Sequence, residues 1–383
     1  MKNYYIKICI LLCLLVFVQS CRKDETVQQP SVQQNGTEID ANYARLYVLN
    51  EGNMDENRST LDYYDYNNWT YNTNIYQSAN PNVPLYLGDA GNDLQIYGSK
   101  MYAVINMSDK VEIMDAKTAK RLGQVNLKNC RYATFDKGYV YVSSYHRNVI
   151  GTVDGNSDPA KGIVAKIDTA TLQIVDSVVV GRQPDGIAIS NGKLYVANSG
   201  GYSPLNYERT VSVIDLSTFK LIKNIDVAIN LNLMQLDDEG NVFVSSRGDY
   251  IKTPSKLFKI DTKQDKVIDS IGLQVSSFCI SKDTAYIIGS PFNWNSGNGG
   301  TYFKTVNTKT GQTISDNFIS DGTSAKLQKP YGILVNPNSR NIYLTDALDY
   351  QTSGNVYCFS PQGKLIWQFK AGQIPGHLAL LKN

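Results

Sequence analysis

Histidine is nearly absent from this chain: His146 and His377 are the only two in 383 residues. A histidine-rich metal centre is therefore excluded. None of the compact catalytic signatures HExxH, CxxC, GxSxG or the phosphate-cradling P-loop occurs either. Cysteine is scarce. Cys9, Cys13 and Cys21 lie near the start, and Cys130, Cys279 and Cys358 stand far apart. That spacing gives no disulfide framework and predicts three core-facing free thiols. Charge of one sign is lacking too, with 37 basic against 35 acidic residues. Nothing in this balance calls for a polyanionic partner, and nucleic acid is not expected. After the first twenty residues no apolar run reaches membrane-spanning length. Asp154-Gly155-Asn156-Ser157-Asp158 shares part of a calcium-loop pattern, but the terminal Glu is missing and an ordinary polar turn is the reading.

The N-terminus has the pattern of a processing signal. Lys2 and Lys7 precede an apolar stretch from Ile8 to Val18, and Val18-Gln19-Ser20-Cys21 closes it. This closure resembles the lipobox of bacterial lipoproteins, which predicts cleavage after residue 20 and acylation of Cys21. Acyl chains contribute roughly 0.8 kcal/mol per buried CH₂, enough to hold a multiply acylated protein on a membrane. Asp24 and Glu25 resemble the short export signal that sends lipoproteins of Bacteroidetes to the outer face of the outer membrane. Residues 21–43 are polar and Gln-rich and read as a flexible tether. Residues 44–383 are expected to form one domain.

That length is accounted for by repeats. In the clearest unit, Gln183–Ile189 is a strand, Asn191-Gly192 a turn, Lys193–Asn198 a second strand, Thr210–Asp215 a third and Phe219–Val227 a fourth. An aromatic recurs in the second strand at Tyr47, Tyr102, Tyr141, Tyr195, Phe243, Tyr286 and Tyr343. A short polar residue closes the third strand at Asp65, Asp115, Asp168, Asp215, Asp261, Asn307 and Ser360. Such side chains bond the backbone two residues on and start tight turns. Seven four-stranded units predict an all-β, seven-bladed β-propeller. The first unit lacks a leading strand, and residues 374–381 match one. The C-terminus should therefore close the ring inside blade one and remove the open edge.

Loop lengths predict a working face. Turns on one side are tight, whereas six of the seven loops between second and third strands are long. These loops carry Tyr145, Tyr202, Tyr207, Tyr250, Phe292, Trp294 and Tyr350 among many Asn, Ser and Gly. Large rigid rings with adaptable polar neighbours suit recognition of a big neutral ligand studded with amides. Three residues beyond each second-strand aromatic stand Asn50, Ile105, Ser144, Asn198, Ser246, Gly289 and Asp346, expected as a partial polar ring at the mouth. His146 is a loop residue, and His377, in the closing strand, reads as structural.

The segment 183–227 resembles the YVTN/YncE-type propeller repeat. The stretches Leu46–Asn53, Asn92–Lys100, Ala197–Tyr202 and Ser245–Tyr250 resemble the BtuG-type surface lipoproteins of Bacteroidetes. That resemblance implies a non-enzymatic protein without a cofactor or bound metal of its own. It would capture cobalamin or another corrinoid and pass it to a BtuB-type TonB-dependent transporter in the outer membrane. Together the loops and the resemblance give a candidate ligand-binding set: Asn50, Glu51, Asn92, Asn106, Tyr145, Asn198, Tyr202, Ser246, Arg247, Tyr250, Trp294 and Asp346. Two alternatives stay open: a surface propeller for a glycan or protein, and a propeller hydrolase or lactonase whose carboxylates converge from different blades.

Overall fold

Alternating, β-branched runs bounded by Gly, Asn and Asp become antiparallel strands throughout the chain. The computed structural model describes residues 31–34, 36–83, 86–147 and 160–383. Cys21 and the Asp154–Asp158 turn lie outside the described residues. Seven units of four strands form a ring, and in blades two to seven the strands are paired in chain order from the innermost outward. In blade four these strands are Pro184–Ser190, Lys193–Asn198, Thr210–Asp215 and Lys220–Asp226. Helical structure among the described residues is confined to Ile75–Ala79 and a single 3₁₀ turn, Thr323–Lys326.

Blade one closes as expected. The last strand, Pro375–Lys382, pairs with Tyr43–Asn50, with Leu380 opposite Leu46 and Ala379 opposite Tyr47. The first and last segments are thereby joined in one sheet, and the ring has no unpaired inner edge.

The aromatic column explains how the blades hold together. Every one of its members is buried. Tyr47 fills the seam between blades one and two, Tyr102 that between two and three, Tyr141 the next, and so on to Tyr343 between seven and one. The period-2 alternation of a strand does the rest, since Leu46 and Val48 point into the opposite seam from Tyr47. Fully burying such rings is worth about 1.5–3 kcal/mol each. The third-strand column also behaves as its chemistry predicts. Asp65, Asp115, Asp168, Asp261 and Asn307 each accept the backbone N–H two residues on, at 2.9, 3.1, 2.8, 2.7 and 2.9 Å. Cys130, Cys279 and Cys358 are free and buried.

Glycine is required where inner strands converge on the axis. A Cβ at Gly186 would stand 2.2 Å from the Asn232 carbonyl, and one at Gly332 would stand 2.4 Å from the Gly376 carbonyl. Both backbones belong to the neighbouring blade's innermost strand, so these positions set how tightly the ring can close.

The expected tether of residues 21–43 is corrected from Ser31 onward. Val32–Gln34 forms a fifth strand on the outer edge of blade one, against Thr70–Asn72. The chain then crosses to the seam of blades seven and one, where the Glu38 carboxylate is buried. There it accepts hydrogen bonds from Tyr343 Oη (2.6 Å), Asn341 Nδ2 (2.6 Å), Trp367 Nε1 (3.1 Å) and Cys358 Sγ (3.4 Å). The segment buries little apolar surface, as its composition requires. The ladder with Thr70–Asn72, Gln33 on the Lys370 backbone, and the Glu38 carboxylate in its polar socket hold it instead.

Candidate functional site

The innermost strands run down from the face that carries the long loops, so their first residues ring the mouth of the central channel. The second residue of the strand is Asn92 in blade two, Arg131 in blade three, Asp185 in blade four, Asn232 in blade five and Tyr331 in blade seven. One residue deeper stand Asp93, Tyr132 and, in the closing strand, His377. Together with Glu51, Tyr202, Arg247 and Tyr350 from the loops, most of these side chains line a cavity of about 990 Å³. That is at the upper end of the roughly 300–1,000 Å³ typical of small-molecule sites.

Two charged groups organise the mouth. The first centres on Asp185, which is fully buried. Arg131 Nε donates to its Oδ1 at 2.9 Å, Tyr145 Oη to the same oxygen at 2.9 Å, and Arg247 Nη1 to Oδ2 at 3.0 Å. Burial would raise the Asp185 pKa, but the two guanidiniums outweigh it and hold the carboxyl below its ordinary range. Asn232 Oδ1 accepts from Arg247 Nη2 at 2.7 Å, and the Tyr145 ring lies 5.1 Å from the Arg131 guanidinium. The second group centres on Glu51. Its Oε2 accepts from Tyr331 Oη at 3.1 Å, and its Oε1 lies 3.0 Å from His377 Nε2. Next to it, burial pushes the Asp93 carboxyl above its usual range, although the charge of His377 counteracts this.

A second recess of about 570 Å³ opens beside the first, over blades five and six. Its walls are the 247–255 loop and a small hairpin, Phe292–Asn293 with Gly297–Asn298. The two loops are fastened by Trp294 N–H to the Tyr250 carbonyl (2.8 Å) and Asn293 Nδ2 to the Ile251 carbonyl (2.7 Å). Trp294 itself is 70% exposed and stands edge-on to Phe292. Among the described residues no group of three His, Cys, Asp or Glu side chains is placed to hold a metal ion.

Of the candidate set, Glu51, Asn92, Tyr202 and Arg247 face the central cavity and Tyr250 the second recess. Asn106 touches the cavity wall, but its amide is spent on Asn129 Oδ1 and the Cys130 carbonyl. Tyr145 is buried one layer behind, where it orients Asp185. The expected polar ring is corrected, because its members are buried and serve the loops themselves. Asn50 donates to Thr60 and Asp62 and accepts the Gly372 backbone N–H; Asn198 donates to Thr210 and Ser212 and accepts the Gly181 backbone N–H. Ser246 donates to the Ile229 carbonyl, and Asp346 accepts the backbone N–H groups of Gln328 and Lys329. These side chains staple each loop to the connection arriving from the previous blade, since buried backbone groups must find partners. His146 is exposed, and His377 faces the cavity as well as completing the closing strand.

Arg131, Tyr132, Asp185, Asn232 and Tyr331 escape a reading based on loops. Their signal is the repeat register itself. Pro184-Asp185-Gly186 and Pro330-Tyr331-Gly332 align, and the residue between Pro and Gly is the variable one that reaches the mouth.

Comparisons with known proteins bear first on the fold. The structure resembles that of a quinonprotein alcohol dehydrogenase-like protein from Bacteroides thetaiotaomicron, with TM-score 0.63 and 16% identity, covering 88% of this chain and 79% of that one. It also resembles the hydrazine synthase of Kuenenia stuttgartiensis, with TM-score 0.56 and 14% identity, covering 76% of this chain and 95% of that one. At such identities the likeness is one of fold. No curated protein matches the chain. A family model described as a domain of unknown function, DUF5074, matches residues 45–370, which is nearly the whole ring, and the chain belongs to that family.

Proposed function

We propose that this protein is a non-enzymatic, surface-exposed lipoprotein, anchored to the outer membrane through Cys21. It captures cobalamin or a related corrinoid and delivers it to a BtuB-type TonB-dependent transporter. One observation carries the reading: a cavity of about 990 Å³ on the loop face that mixes Tyr, Asn and Arg side chains and continues toward a second recess of about 570 Å³. A corrin ring fringed with amide arms needs a wide site of this kind, with aromatic walls for the ring and amide and guanidinium partners for the arms.

The strap, residues 31–42, supports the delivery half of the reading. Val32 pairs with Asn72 and Gln34 with Thr70, so the strand runs away from the loop face, and the chain enters blade one from that side. Nine residues lie between Cys21 and Ser31, so ten Cα-to-Cα steps give a reach of at most ~36 Å. An anchor of that length would keep the loop face within range of a transporter embedded in the membrane.

Isothermal titration with cyanocobalamin, together with its visible spectrum, tests the proposal. Binding at micromolar protein or tighter is expected; neither heat nor a spectral shift would sink it. The exposed Trp294 favours a second reading, a glycan ligand stacked on its face, so oligosaccharides belong in the same titration series.

A further inference from the structure

We infer that Arg131 and Arg247 form a subsite for one anionic group of the ligand, a phosphodiester or a carboxylate, at the mouth of the channel. The inference deepens the corrinoid reading and partly rests on it. Two guanidiniums share one carboxylate here. Asp185 is fully buried and both of its oxygens are committed, Oδ1 to Arg131 and Tyr145 and Oδ2 to Arg247. The cluster therefore carries one positive charge more than it neutralises.

Among the described residues the acids across the mouth form no ion pair with either arginine. Glu51 is engaged by Tyr331 and His377, and Asp93 accepts from the backbone of Leu94 and Ala133 and from Gln95 Nε2. Donors remain on the cavity side. Arg131 spends only its Nε on Asp185, and its two terminal nitrogens meet no acceptor among the described residues. Arg247 uses one hydrogen of each terminal nitrogen, toward Asp185 and Asn232. The Tyr132 hydroxyl, within electrostatic reach of both arginines, donates to no described residue.

The arrangement is also fixed in advance. The Tyr145 ring backs Arg131, and Asn232 holds the plane of Arg247. A planar guanidinium held in place binds a two-oxygen anion through parallel hydrogen bonds at little further ordering cost. A half-buried excess charge of this kind is disfavoured until an anion meets it, which favours an anionic ligand group over a neutral one at this point.

The test has two arms, run on wild type, Arg247→Gln and the charge-preserving Arg247→Lys. In the first, inorganic phosphate is added to the ligand-free protein at constant ionic strength. A rising melting temperature is expected in wild type and in Arg247→Lys but not in Arg247→Gln. Equal stabilisation of all three, an adventitious ion only, would overturn the subsite. In the second, cyanocobalamin, which carries a phosphodiester, is compared with cobinamide, which lacks it. Arg247→Gln should weaken cyanocobalamin about tenfold or more and cobinamide about twofold or less. Equal losses for the two would show that the arginine merely shapes the cavity. If neither corrinoid binds wild type, the corrinoid reading fails, while the phosphate arm still decides the subsite.

Discussion

Replacing Glu38 with Ala tests whether the strap is part of the folded ring. The carboxylate satisfies Asn341 Nδ2, Trp367 Nε1 and Tyr343 Oη, all buried. Tyr343 keeps a second partner, Tyr66 Oη at 2.7 Å, but the Asn341 and Trp367 donors lose this one. Leaving a buried donor unsatisfied costs about 1–3 kcal/mol. Against this, the variant no longer buries a carboxylate, and burial is what raises the Glu38 pKa despite its four hydrogen bonds. The balance is a net loss of about 2–4 kcal/mol, read as a shift of the urea midpoint at unchanged slope. The sign of its pH dependence follows. A carboxyl whose folded pKa lies above its unfolded value contributes stability that is full below the unfolded value and fades as pH rises through the folded one. The gap between wild type and Glu38→Ala should therefore widen as pH falls from 7 toward 4.5. A variant that melts with wild type, or a gap that narrows on acidification, would refute the socket and return residues 31–42 to the status of a tether.

The remaining expectations concern the ring. Deleting residues 374–383 removes the innermost strand of blade one and should leave no cooperative unfolding transition by circular dichroism; a truncated chain that melts like the parent would count against closure. Gly186→Ala forces a Cβ to 2.2 Å from the Asn232 carbonyl and should cost about 1–3 kcal/mol, the usual range for overpacking; an unchanged denaturation midpoint would mean the inner strands can separate freely. The Asp62 carboxyl, fully buried, is pushed up to about 6 by that burial in spite of hydrogen bonds from Asn74, Asn50, Tyr71 and Gly372. Its contribution should grow by about 3 kcal/mol as pH falls from above 6 to below its ordinary value, and carbon-detected NMR should place its titration near 6; a midpoint near 4 would refute the burial argument. Changing both Tyr250 and Trp294 to Ala should weaken ligand binding in titration calorimetry by about tenfold, with little change in melting temperature because Trp294 is exposed; unchanged affinity would move the ligand off the second recess.

The ring itself was legible because each of its rules is local and repeated seven times. A strand's two-residue period puts the second-strand aromatic into a seam in every blade, and a short polar residue at the end of the third strand can only start a turn. The strap was not legible, because its binding partner is not local. Tyr343, Asn341 and Trp367 lie some three hundred residues away from Glu38, and no composition rule distinguishes a polar segment with a socket from one without.

The mouth failed to read correctly for a third reason, one that matters for any propeller. Polar residues at strand ends were visible, but their type does not say which demand they answer. At Asn50, Asn198, Ser246 and Asp346 the demand comes from the chain itself, whose passage between blades carries backbone groups that no ladder pairs. Those side chains are spent before a ligand arrives. Where the inner strand begins, the ladder breaks in a bulge at Arg131 and Tyr331, and the freed backbone N–H groups of Tyr132 and Gly332 are met by the Ser143 and Thr345 hydroxyls, so side chains such as Arg131 and Tyr331 are left over for the cavity. Recognition in this fold should then be sought first on the innermost strands, at the positions where the ladder to the second strand breaks. The loops above them shape the entrance, and the residue next to the loop's own staple, as with Glu51 and Arg247 beside Asn50 and Ser246, reaches inward to complete the set.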